Sequence, residues 1–96
     1  MKLDDFLASL ADPAPPAGLS EPVAAVWYGL NDQWEQAHGI VQAHEGEADA
    51  DWVHAWLHRV EGDAGNAAYW YRRAGRPVAR GDLKEEGRSI AAELLD

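Results

Sequence analysis

Residues 52–77, WVHAWLHRVEGDAGNAAYWYRRAGRP, set Val53, Trp56, Leu57 and Val60 on one stripe and Ala67, Trp70, Tyr71 and Ala74 on another, with Gly62-Asp63 between them. Apolar side chains recurring at i, i+3, i+4 and i+7 line up only on an α-helix. The spacing therefore predicts a helix over about 48–61, a bend, and a helix over about 64–74. Gly75 suits a C-terminal cap, and Pro77 forbids continuation. The run commits the chain to a helical hairpin whose apolar faces must be covered by the rest of the molecule.

The remaining segments supply that cover. Leu3, Phe6, Leu7 and Leu10 predict a short helix over 3–11, ended by the three prolines of Asp12–Gly18, which favour an extended connector. Ser20 reads as an N-cap with Pro22 in the first turn. Val23, Val26, Trp27 and Leu30 predict a helix to about residue 30, and Trp34, Ala37, Ile40 and Val41 one over about 33–44. Leu83, Ile90, Ala91 and Leu94 give a last helix over about 82–95, in which Gly87 either permits close packing or weakens the helix. No segment alternates with period two, so the fold class is all-α. With 96 residues, a second independent core cannot be closed. The chain reads as a single domain: a helix and Pro-rich linker (1–18), a first hairpin (21–45), a second hairpin (48–75) and a capping helix (82–95).

Shifting the chain by 30 residues brings the turn Asp32–Ala37 onto Gly62–Ala67, Ala25 onto Ala55 and Val41 onto Tyr71. Small residues there let paired helices approach, and the large one fills the gap beside them. With Tyr28 three after Ala25, and Ala67, Tyr71 and Ala74 in series, residues 21–77 resemble the tetratricopeptide repeat and its Sel1-like relatives. WLHRVEGDAGNAAYWYRRAGRP is also similar to a group of small bacterial and fungal helical-repeat proteins, a likeness that implies the fold and no chemistry. The resemblance implies two tetratricopeptide-like α-α hairpins, about six helices in one compact bundle, and a protein-binding role. The pattern departs from the family in its interval, shorter than about 34 residues, in its missing early tryptophan, and in His58 where an aromatic is expected.

Charge narrows the partners. The net charge is −9, yet residues 1–58 hold ten acids and one base while residues 59–96 hold seven of each. Nucleic-acid binding needs a broad basic footprint, and none exists. Arg72, Arg73, Arg76 and Arg80 nevertheless occupy nine residues free of acids. They complement a helix C-terminus, or they hold an anion. Cysteine is absent, which removes disulfides and thiolate ligands and fits a cytoplasmic setting. No stretch reads as a signal peptide or membrane span.

His54, His58 and Glu61 share one strip of their helix, at i, i+4 and i+7, as metal-ligand candidates. Ala55 stands where the helical zinc motif carries glutamate, so that motif is not matched. His38 or His44 of the neighbouring helix is a candidate for a further ligand, but the two are six apart and point in different directions, so both do not converge easily. The alignment of the two hairpins sets His54 and His58 where side chains pack inside the hairpin, which favours hydrogen-bonded interior histidines over a site. Tyr69 and Trp52 are the aromatics most expected at the surface, Tyr69 one turn from Arg72 and Arg73. An aromatic beside forked guanidiniums seats a carboxylate or phosphate. Ser9, Ser20 and Ser89 lack the context of a nucleophile, and GRPVARG lacks the phosphate-loop lysine.

These residues support a non-catalytic interaction module binding a protein or acidic peptide segment through Trp52, Trp56, Arg59, Tyr69, Arg72 and Arg73, with no cofactor, nucleic acid or membrane. A metal-dependent or small-molecule enzyme using His54, His58 and Glu61, and a structural homodimer burying the Trp-rich surface, are the alternatives.

Overall fold

The computed structural model describes residues 1–95. Among them are six helices and no strand: α1 (Leu3–Ser9), α2 (Glu21–Leu30), α3 (Trp34–Gln42), α4 (Ala48–Glu61), α5 (Ala64–Ala74) and α6 (Leu83–Leu94). Helix α2 packs on α3 and α4 on α5, and α6 lies across α2 and α4. The radius of gyration is 12.1 Å, matching the roughly 12–13 Å of a closed globule of this length. The bundle is closed rather than an open array.

The turn chemistry explains the boundaries. Gly62 and Gly75 end α4 and α5 at φ 88° and 71°, a left-handed conformation costly for a residue with a Cβ. The Asp63 side chain then accepts from Asn66 N at 3.2 Å and caps α5. Asp82 caps α6 in the same way, accepting from Glu85 N at 2.8 Å. Ser20 occupies the N-cap position of α2, but its side chain makes no capping bond. Helix α1 stops at Ser9, two residues short of the predicted end, where the backbone tightens into i→i−3 turns (Leu10 N to Leu7 O, Ala11 N to Ala8 O, Asp12 N to Ser9 O), while Ser9 Oγ donates to Phe6 O and accepts from Trp27 Nε1 at 3.1 Å.

The stripes are buried as their spacing requires. Val53, Trp56, Leu57, Ala67, Trp70 and Tyr71 are all inside. Val60, Ala74, Leu83 and Leu94 are only half-buried. The 30-residue shift pairs like with like in burial: Val23 with Val53, Ala25 with Ala55, Val26 with Trp56, Trp27 with Leu57, Ala37 with Ala67 and Val41 with Tyr71 are buried at both members.

Trp56 joins the halves. Its ring lies between Gly29 of α2 and Gly87 of α6, where an added Cβ would meet ring carbons at 2.6 Å and 2.5 Å respectively, and its Nε1 donates to Leu83 O at 2.8 Å. Gly87 therefore serves close packing. Lys84 seals the same end, its ammonium donating to Leu30 O at 2.7 Å and to Asp32 at 3.1 Å, where a cation satisfies the free carbonyls of a helix C-terminus.

Candidate functional site

The predicted site residues separate into two groups, on opposite sides of α4. Arg59 follows His58 by one residue, about 100° further round the helix, so the two cannot share a direction. Arg59 turns to α6, where it pairs with Glu86 and donates to Gly81 O at 2.9 Å. Glu86 also accepts from the buried Tyr71 hydroxyl. Burial and the Glu86 carboxylate together raise the Tyr71 pKa above its ordinary value.

Trp56 is 1 % exposed and is a core residue, not the wall of a peptide groove. One edge borders a cleft of about 480 Å³ shared with Asp32, Val60, Gly81 and Lys84. Trp52 is half-buried, and the Arg76 guanidinium lies 3.6 Å from its ring centroid. Arg76 also pairs with Glu93 of α6. A groove lined jointly by Trp52, Trp56, Arg59, Arg72 and Arg73 does not form. Arg59 does not reach Tyr69, Arg72 and Arg73 either, because Glu86 and Gly81 hold it on the other side.

On the opposite side His54 and His58 are brought together with His38. The i, i+4 spacing of His54 and His58 stacks their rings at 4.9 Å between centroids. From α3, His38 places its Nε2 3.1 Å from Nε2 of His54, close enough to share one proton. One ring nitrogen from each of the three lies within 4.8 Å of the others. His44 points away and bonds Glu47 at 2.7 Å. The sequence signal for His38 was its place one turn after Trp34: the two rings stack at 4.6 Å with planes 10° apart, and Trp34 Nε1 is anchored on Leu57 O at 2.7 Å. On the far side Trp70 stacks on His54 at 3.9 Å and 14°. Two indoles thus clamp the histidines from outside.

Protonation follows from this packing. Burial chiefly, with His38, His58 and Arg73 adding to it, lowers the His54 pKa to about 4. His38 is lowered too, by burial and then by His58, against the opposing pull of Glu61 and Glu45. His54 Nδ1 is buried with no hydrogen-bond partner. An unpaired buried N–H costs about 1–3 kcal/mol, so the proton belongs on Nε2, facing His38, and Nδ1 presents a bare lone pair. His58 donates through Nδ1 to Glu61 at 2.6 Å, which fixes its tautomer and leaves Nε2 with a lone pair.

Arg73 continues the stack outward. Its guanidinium lies 5.0 Å from the Trp70 centroid and 5.8 Å from that of Tyr69, and donates to the Tyr69 hydroxyl at 3.1 Å. Tyr69 is 42 % exposed, and Arg72 and Arg73 are exposed beside it. Trp34 and Trp70 are the members of this constellation that helical spacing assigns only to packing, whereas His38 is already a candidate for a further ligand. No family model, curated protein or solved structure matches the chain, and among the described residues no helix is long and apolar enough to cross a membrane.

Proposed function

We propose that this chain is a small interaction module of tetratricopeptide-like build that captures an acidic peptide segment on the outer face of α5. The observation that carries the reading is that Arg72 and Arg73, which like Lys2 and Arg80 form no ion pair among the described residues, lie exposed beside Tyr69, although the chain holds 17 acids against eight lysines and arginines. Arg59, Arg76, Lys84 and Arg88 each find a carboxylate. Two guanidiniums left exposed beside Tyr69 offer forked donors and an aromatic wall to a carboxylate from outside. The acidic remainder of the surface repels the same peptide, which confines it to this face. The burial of Ala25, Ala55 and Ala67 where paired helices meet supports the repeat-like build.

The test is fluorescence anisotropy with a labelled glutamate-rich peptide at low ionic strength. Wild type binds and releases the peptide as salt rises, and R72E/R73E weakens binding at least tenfold. R88E, which removes a cation already paired with Glu85, leaves it nearly unchanged. Failure of wild type to bind, or equal loss in both variants, overturns the reading.

A further inference from the structure

We propose that His38, His54 and His58 form a binding site for one divalent transition-metal ion of the zinc class. The proposal does not rest on the acidic-peptide reading and survives its failure.

The donor geometry comes first. Two imidazole nitrogens bound to one tetrahedral zinc at 2.0–2.1 Å stand about 3.3 Å apart. Nε2 of His38 and Nε2 of His54 stand 3.1 Å apart, and the three chosen nitrogens all lie within 4.8 Å of one another. A cation placed between the two Nε2 atoms takes the position of the shared proton and moves the His54 proton to the partnerless Nδ1, at the cost of an unpaired buried N–H that the metal–nitrogen bonds must outweigh.

The surroundings then supply what a metal site needs. Metal ions bind neutral imidazole through a ring nitrogen, and the Nε2 atoms of His38 and His54 already face each other. His58 is oriented by Glu61 through Nδ1, the carboxylate–histidine arrangement that fixes a ligand's tautomer and raises its basicity. Trp34 and Trp70 stack on His38 and His54, so these two rings are held before any metal arrives. His38 is only half-buried, so the trio is open to solvent on the α3 side. An all-nitrogen donor set selects zinc, cobalt, nickel or copper over magnesium or calcium.

Isothermal titration of the purified, chelator-treated chain with Zn²⁺ tests the proposal, with Co²⁺ absorption reporting coordination geometry. One Zn²⁺ per chain is expected, with a change in tryptophan emission from the stacked indoles. H38Q and H58Q weaken binding at least tenfold while helical circular dichroism is retained, and E61Q weakens it less. H44Q binds as wild type does. Absence of a one-to-one event, equal loss in H44Q, or equal competition by Mg²⁺ or Ca²⁺ overturns the site and assigns any uptake to the acidic surface.

Discussion

A Cβ at residue 87 would lie 2.5 Å from Cζ2 of Trp56. The indole is fixed by its bond to Leu83 O and by Gly29 on its other side, so it cannot yield. G87A is therefore expected to destabilise the chain by about 1–3 kcal/mol, despite the roughly 1 kcal/mol by which alanine favours a helix over glycine. Gly39 of α3 has open space around its Cβ position, and G39A is expected to stabilise by up to about 1 kcal/mol. Urea titrations of the two variants should move the midpoint in opposite directions.

Glu86 serves two partners at once, the Arg59 guanidinium and the Tyr71 hydroxyl. Replacement by Gln leaves a largely buried cation without its counter-charge, and a loss of about 2–3 kcal/mol is expected. Y71F removes one bond and is expected to cost about 1 kcal/mol. Because both changes act on one network, the double variant should lose less than the sum of the two, which a thermal-unfolding cycle measures.

Acid weakens the metal-free chain through His54. Its folded pKa, about 4, lies below the roughly 6.5 of an unfolded histidine, so the unfolded chain binds more protons between those values. Stability is whole above about pH 6.5 and falls as the pH drops, by at most about 1.4 kcal/mol per unit for the one proton. His38, also lowered, adds to the slope. Urea midpoints at about pH 7 and pH 5.5 with chelator present should show the decline, and H54Q should flatten it.

The caps distinguish two serviceable-looking residues. D63A removes an observed bond to Asn66 N and is expected to cost about 1 kcal/mol. S20A removes no capping bond and is expected to change the thermal midpoint little.

The helices were legible because burial enforces the 3.6-residue period, and Val53, Trp56, Leu57, Ala67, Trp70 and Tyr71 lie inside as that period requires. The turns were legible at Gly62 and Gly75, where only a left-handed residue fits. Ser20 and Asp63 show the limit of cap reading: both are good capping types, and only the geometry tells which side chain reaches a free N–H. The histidine cluster was half legible. His54 and His58 share a helix, so spacing alone brings them together. His38 joins from α3, and which face of α3 meets α4 is set by interhelical packing that no local pattern encodes. Trp56 is read as a groove residue as well, although its place on the apolar stripe of α4 already puts it inside. The two glycines that receive its ring lie 27 residues before it and 31 after it.

Lys84 reaches back 54 positions to the last carbonyl of α2. Each hairpin can assemble from neighbours a few residues away, at little cost in chain entropy. The lid over Trp56 arrives only from the far end of the sequence. That separation leads us to expect the two local pairs to form first and closure by α6 to come last. A chain halted before Leu83 would hold its hairpins with the central indole still bare, a sticky intermediate that neighbouring copies could bury in place of its own last helix.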